Sequence, residues 1–148
     1  MAVAYFSAEP VAAQCYIGRW VKTASAGLLK GRILGTAEQN IAAFQAINEG
    51  GFKVTVDGVE KSVMAINLSS VNNLNGVATV INAALDTAAS CVWDGTRFVI
   101  RSKTTGTEST VTGVTKTALS TLMGLDADMV AVSGMNAESL LDAVTELA

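Results

Sequence analysis

The sequence predicts an α+β fold in which two β-hairpins are interleaved with helices, in the order β-β-α-β-β-α. Three observations predict this order: two Asp-Gly dipeptides between strand-like segments, one long amphipathic stripe between the hairpins, and a composition that can fill a core. Half of the 148 residues are hydrophobic and only 16% are charged, which is unlike a disordered chain. We expect fragments of a larger core domain on both sides of this unit.

The first 35 residues predict one strand. Pro10 ends any helix that begins at residue 2 or 3, because proline lacks the backbone N–H that a helix interior needs. The apolar and aromatic run within residues 13–21 indicates a strand. Residues 22–35 are rich in Gly and Ala, and no element is predicted there.

The next segment predicts a short amphipathic helix. Thr36 and Gln39 have the spacing of a capping box, in which each side chain accepts a hydrogen bond from the backbone N–H of the other residue. The apolar face of this helix is expected to contain Ile41, Phe44 and Ile47. Gly50-Gly51 is expected to end the helix, because glycine accepts the left-handed conformation at a helix C-terminus.

The first predicted hairpin surrounds Asp57-Gly58, a dipeptide typical of hairpin turns. A two-residue loop would place Val54 opposite Lys61 and mix the two faces. A three-residue loop, residues 57–59, pairs Val54 with Ser62 instead. We expect that register, because a one-residue slip would turn a buried face to water. Its shared apolar face would consist of Phe52, Val54, Val56, Met64, Ile66 and Leu68.

The clearest amphipathic helix in the sequence follows this hairpin. Its apolar residues recur with helical spacing and are Leu74, Val77, Ala78, Ile81 and Leu85. Gly76, near the start, costs about 1 kcal/mol relative to alanine, which is too little to overturn the prediction.

The second half of the chain predicts a second hairpin, a further strand and two helices. Residues 91–93 and 96–101 flank the turn Asp94-Gly95, and residues 109–115 alternate again after a Thr- and Gly-rich loop. Residues 117–123 predict a short helix that Gly124 closes. Asn136 caps a last helix, whose apolar stripe is Leu140, Leu141, Val144 and Leu147. That stripe reaches Ala148 without a stop signal, as expected of a piece of a longer protein.

Charge and hydropathy exclude two classes of partner. The net charge is −3 and no two of the ten basic residues are adjacent, whereas nucleic-acid binders carry a basic patch. No apolar run approaches the roughly 20 residues that cross a bilayer, and the N-terminus lacks the basic flank of a secretory signal. We therefore expect neither a nucleic-acid partner nor a membrane partner.

The charge is distributed unevenly along the chain. Residues 1–35 carry four basic residues and one acidic residue, whereas residues 117–148 carry five acidic residues and no basic one. A polar chain of this kind suits head-to-tail stacking of identical subunits, in which unlike ends meet. Ordinary solvated surface is the alternative interpretation.

The sequence contains no histidine, which excludes Ser–His and Cys–His nucleophile pairs within the chain. Asp126 and Asp128 have a spacing that occurs in calcium loops, but such loops need more oxygen ligands, so we interpret the pair as a polar connection. Cys15 and Cys91 match no metal spacing and are interpreted as small buried residues. We therefore predict no catalytic, cofactor-binding or metal-binding residue, no cofactor and no enzymatic activity.

Two features leave a binding role open. Trp20 and Trp93 are interpreted as packing residues, with exposed anchors for sugars as the alternative. The Thr-rich stretch of residues 104–117 is interpreted as a solvated hairpin, with an adhesive loop as the alternative. Asn67-Leu68-Ser69 fits a glycosylation acceptor, which we interpret as a chance match.

Several stretches carry a resemblance to a known family. Near the N-terminus the chain contains Tyr5-Phe6-Ser7-Ala8-Glu9-Pro10, followed by Cys15-Tyr16-Ile17-Gly18-Arg19-Trp20. These stretches resemble the N-terminal region of a bacteriophage contractile tail-sheath-like family. Residues 52–58, 74–85 and 92–102 match its central region in the same order, and residues 136–148 resemble the helix at which its core resumes. The hairpin–helix–hairpin unit is also similar to the repeated module of flagellin and hook proteins.

The resemblance implies a structural sheath or sheath-like subunit fragment of a phage tail, which acts by self-assembly and not by catalysis. It implies contacts with identical subunits and with tail tube and baseplate proteins, in the virion and, during assembly, in the host cytoplasm. It also implies three segments: residues 1–35 from the core domain, 36–133 as an inserted α+β domain, and 134–148 as the start of the returning core helix. The alternative function is an adhesin-like domain that binds host-surface glycans.

Overall fold

The computed structural model describes residues 23–138, of which residues 24–136 form one compact unit. This part of the chain contains seven strands and three helices, an α+β fold as predicted. The elements are, in order, β1 (Leu28–Lys30), α1 (Ile41–Gln45), β2 (Gly50–Val56), β3 (Val59–Ile66), α2 (Leu74–Leu85), β4 (Ala89–Trp93), β5 (Phe98–Ser102), β6 (Val111–Val114), α3 (Ala118–Leu122) and β7 (Val130–Val132).

The strands form two antiparallel sheets. The four-stranded sheet has the order β4-β5-β1-β7, and the three-stranded sheet has the order β3-β2-β6. Side chains from both sheets and from the helices share one hydrophobic core, in which Phe44, Phe52 and Phe98 are almost completely buried. The structure therefore joins the two predicted hairpins through a common interior.

The strand β1 was not predicted, yet it lies between β5 and β7 in the four-stranded sheet. A strand of three residues is too short to show the alternation of apolar and polar residues that identifies strands in a sequence. Because of β1, the compact unit also contains residues 24–35, which the sequence analysis assigned to the N-terminal segment. The strand predicted within residues 13–21 and the stripe of residues 140–147 lie outside the described residues.

The predicted register of the first hairpin was wrong. Val56 pairs with Val59 and Val54 pairs with Lys61, so the loop has two residues and not three. Asp57 and Gly58 have φ angles of 51° and 76°, the combination that a type I′ turn requires. The turn geometry fixes the register, and the exposed Lys61 is tolerated because β3 is an edge strand.

A β-bulge in β3 restores the buried face of the hairpin. Phe52 pairs with Val63 and Gly50 pairs with Ile66, so two residues of β3 lie opposite one residue of β2. Ala65, within the bulge, has a φ of 54°. As a result Val63 and Ile66 are both buried, whereas Met64, which was predicted to be buried, is 62% exposed.

The first helix also differs from its prediction. Asn40, and not Thr36, is its N-cap, with the Asn40 side chain accepting a hydrogen bond from the backbone N–H of Ala42. Residues 36–39 form turns, and Gln39 donates to the carbonyl of Leu34 at 2.9 Å instead of completing a capping box. The helix ends at Gln45, and the predicted terminator Gly50-Gly51 begins β2. Phe44 is buried as predicted, and Ile41 and Ile47 pack against the core.

The remaining elements agree with the predictions, except that β7 (Val130–Val132) was not predicted. All five residues of the predicted stripe of α2 are buried, the second hairpin is formed by β4 and β5, and β6 follows the Thr-rich loop. Thr117 caps α3 in a capping box with Ser120, and Gly124 has the left-handed conformation after the helix, with a φ of 69°.

Replacing Gly76 with alanine is expected to raise the free energy of unfolding by about 0.5–1 kcal/mol, because alanine is the better helix former. A Cβ atom at this position in α2 would lie 3.5 Å or more from its neighbours, which is ordinary contact. Urea unfolding monitored by circular dichroism measures the change. A loss of stability would show that the first turn of α2 needs the freedom of glycine.

Candidate functional site

The acidic pair that the sequence singles out forms part of a polar connection between α3 and β7. The Asp126 side chain is only 10% exposed, and its carboxylate lies 3.7 Å from the Lys116 ammonium. Asp128 is exposed and has a φ of 53°. Within residues 23–138, no three His, Cys, Asp or Glu side chains are grouped so as to hold a metal ion.

The reactive and aromatic side chains of β4 serve packing. Cys91 is buried, and this burial raises the pKa of its thiol to about 12, so the thiol stays protonated at neutral pH. The Trp93 ring packs at a tilt against Phe98, with 5.0 Å between the ring centroids, as the packing interpretation predicts. Cys15 and Trp20 lie outside the described residues.

Asp57 anchors the Thr-rich loop to the first hairpin turn. Its carboxylate accepts hydrogen bonds from the hydroxyls of Ser102 and Thr104, both at 2.8 Å, and from the backbone N–H of Thr110 at 2.9 Å. Burial raises the pKa of Asp57, but these three hydrogen bonds outweigh it, so the pKa lies below its usual value. The hydroxyl of Ser109 also turns inward and donates to the Thr104 carbonyl at 3.0 Å.

A cleft of about 400 Å³ lies beside this anchor, between Asp57 and the loop. Its hydroxyls at Ser109 and Thr104 are engaged in holding the loop together, as described above. The polar groups of the loop therefore mainly hold the hairpin turn against the end of β5.

Replacing Asp57 with asparagine is expected to lower the free energy of unfolding by about 1–3 kcal/mol at pH 7, because the loop loses a charged acceptor. Asparagine accepts the same positive φ, so the turn itself is preserved. The folded pKa is lowered, so the stabilisation is present above the unfolded value of about 3.9 and is lost as the pH falls through the folded pKa.

The measurement is urea unfolding of both proteins at neutral and at strongly acidic pH, where the difference between them should shrink. Asp86→Asn is the matched control, because Asp86 also has a positive φ but is exposed. It should change stability by less than about 0.5 kcal/mol. Equal losses in the two variants would contradict a specific role for Asp57.

The outer face of the four-stranded sheet carries three exposed valines, Val92, Val130 and Val132, and we define it by two rows of paired residues. The first row runs Val92, Val99, Lys30 and Val130 across the four strands, and the second runs Ser90, Arg101, Leu28 and Val132. Directly paired residues of antiparallel strands project to the same side of a sheet. In the intervening row Cys91, Ile100 and Leu29 are buried in the core, whereas Ala131 of β7 is exposed.

This outer face combines apolar and basic character. Val92, Val130 and Val132 are 53%, 52% and 43% exposed. Lys30 and Arg101 are exposed in the same two rows, and neither row contains a carboxylate. This surface was not predicted from the sequence, although the outward positions of β4 and β5 include two valines, Val92 and Val99, beside Ser90 and Arg101.

At the β4 edge of the four-stranded sheet, a side chain is hydrogen-bonded to backbone groups of the edge strand. Asn82, in α2, accepts a hydrogen bond from the backbone N–H of Cys91 at 2.5 Å and donates one to its carbonyl at 2.7 Å. The amide therefore occupies backbone groups of β4 that another strand would otherwise need. At the opposite edge, β7 pairs with β1 on one side.

In the part of the chain that the structure describes, no helix has the length and apolar character needed to span a membrane.

Comparisons with known proteins point to one family. The family model described as "E217 tail sheath protein gp31, insert domain" matches residues 24–139. A crystal structure of the flagellar cap protein FliD from Bdellovibrio bacteriovorus is similar with a TM-score of 0.46 and 25% sequence identity. That similarity covers 80% of this chain and 65% of the FliD chain, so the chain spans about two thirds of that neighbour. No curated protein sequence matches the chain.

Proposed function

The chain belongs to the family of the insert domain of the E217 tail sheath protein gp31, and from this premise we propose that it is a structural component of a phage contractile tail. The observation that carries the proposal is the agreement of two boundaries. The family match covers residues 24–139, and the compact unit covers residues 24–136. The matched segment is thus a complete packed unit and not a scattered set of motifs.

The unit acts by packing against other copies and not by catalysis. Its strongest polar cluster, around Asp57, holds a loop in place, and its buried thiol at Cys91 stays protonated. Its exposed features are an apolar and basic sheet face and strand edges. Such surfaces suit protein contacts, which take their affinity from buried apolar area and their specificity from charge.

We place the insertion at residues 24–136, with the flanking residues belonging to the core of the parent subunit. The support for this placement is β1, which pairs with both β5 and β7 and so ties residues 28–30 into the compact unit. The parent subunit would then lie in the virion, with this unit carried on its surface.

The glycan-binding alternative finds little support in the described residues. It was motivated by the Thr-rich loop and by exposed tryptophans. The hydroxyls of Thr104 and Ser109 donate hydrogen bonds within the protein, and Trp93 packs against Phe98.

Electron microscopy of the full-length protein that contains this chain tests the proposal. We expect purified protein to form tubes or rings, and we expect mass spectrometry to find the chain in purified phage particles. A full-length protein that stays monomeric at high concentration and is missing from the particles would refute the proposal.

A further inference from the structure

We propose that the outer face of the four-stranded sheet, defined above by its two rows, binds a second copy of this chain. This inference rests on the proposed function, because it assigns a surface to the self-assembly. The occupant is a neighbouring copy that presents an apolar surface with carboxylates.

The first argument is the apolar character of the sheet on both sides. In β4 and β5 the inward residues Cys91, Phe98 and Ile100 are buried, and the outward pair Val92 and Val99 is also apolar, whereas the outward pair Ser90 and Arg101 is polar. A sheet with one face in water normally alternates apolar and polar residues, whereas a sheet covered on both faces does not. The row that contains Val92 and Val99 therefore matches a covered surface.

The second argument is the continuity of the apolar residues. Single exposed valines are common on protein surfaces and need no explanation. Here the valines recur in register, with Val92 and Val99 paired on one side of Lys30, and Val130 on its other side. Leu28 and Val132 extend the surface in the second row. Contiguous apolar residues of this kind mark protein contact sites.

The third argument is charge, which selects the occupant. The outer face carries Lys30 and Arg101 and no acidic residue. The whole chain has a net charge of −3, so the chain outside this face has a net charge of −5. A second copy thus supplies the carboxylates that the basic face attracts, and unlike surfaces meet as they do in head-to-tail assemblies.

The closed edge at β4 restricts how a second copy approaches. Asn82 occupies the backbone groups of Cys91, so strand addition at that edge would have to displace a pair of hydrogen bonds. The outer face and the β7 side, where Val130 and Val132 are exposed, remain accessible.

Sedimentation velocity of the purified chain over a wide range of concentration tests the inference. We expect concentration-dependent self-association that weakens as salt is added, because the contact includes charges. Val92→Asp and Val130→Asp should each raise the dissociation constant at least about tenfold, since each places a charge in an apolar contact. Arg101→Glu should weaken association, and Arg101→Lys should largely preserve it.

Val59→Asp is the matched control. Val59 is 54% exposed, much like Val92, but lies in β3 of the other sheet, so this variant should associate like the unchanged chain. Circular dichroism of each variant checks that the fold is intact. A chain that is monomeric throughout, or equal effects of Val59→Asp and Val92→Asp, would overturn the inference.

The same substitutions in the full-length protein separate the inference from the proposed function. If the full-length protein forms tubes and Val92→Asp neither slows nor weakens their assembly, the inference fails and the proposed function stands. If the protein forms no tubes and is missing from phage particles, the proposed function fails, whatever the isolated chain does.

Discussion

Replacing Phe98 with alanine is expected to lower the free energy of unfolding by about 3–5 kcal/mol, one of the largest effects available to a single side chain here. Phe98 is completely buried in β5, which lies between β4 and β1. Its ring contacts Trp93 and Phe44, with centroid separations of 5.0 and 6.0 Å. Alanine removes the transfer free energy of the ring and leaves a cavity between elements that cannot close independently.

Urea unfolding, followed by circular dichroism, measures this loss. Val92→Ala is the control, because Val92 belongs to the same sheet but is 53% exposed, and its change should stay below about 1 kcal/mol. If Phe98→Ala cost no more than the control, the ring cluster would not be the centre of the fold.

Replacing Gly27 with alanine is expected to cost at least about 3 kcal/mol, through a steric clash that the backbone cannot relieve cheaply. A Cβ atom at this position would lie 2.2 Å from the carbonyl oxygen of Ser109 and 2.7 Å from the Cα of Thr110. Gly27 is also held on both sides, since its N–H donates to the Ser109 hydroxyl and its carbonyl accepts from the Ser102 N–H. Relieving the clash would therefore break the contacts that join β1 to the Thr-rich loop.

Gly35→Ala is the matched control for this clash. The nearest atom to a Cβ at Gly35 is a carboxylate oxygen of Glu38, at 3.6 Å, which is ordinary contact. Its stability should change by less than about 0.5 kcal/mol. Thermal unfolding of the two variants side by side measures the difference, and a Gly27→Ala protein as stable as Gly35→Ala would disprove the close approach of β1 and the loop.

Both substitutions act on contacts between distant parts of the sequence. Gly27 and Ser109 are 82 positions apart in the chain, and the residues around them in the sequence do not predict their contact. By contrast, the burial of Val77 and Ile81 follows from local spacing, because an amphipathic stripe buries one face of a helix whatever it packs against. The two kinds of contact differ in how far a sequence can predict them.

The candidate surface shows the same division. The apolar residues of β4 and β5 are visible in the sequence, but their distribution over two faces becomes clear only from the pairing. The position of Lys30 between Val99 and Val130 depends on β1, a strand too short to predict. A surface built from four strands that are far apart in the chain has no local signature.

Local patterns in the sequence were enough to predict the α+β class, both hairpins, the stripe of α2 and the short helix α3, because each depends on residues within a few positions of one another. The three-dimensional structure was needed to establish the register of the first hairpin, where the turn conformation at Asp57-Gly58 and a bulge at Ala65 outweighed the apolar pattern. It also decided the placement of β1 and β7, since three-residue strands are stabilised by their neighbours and not by their own sequence.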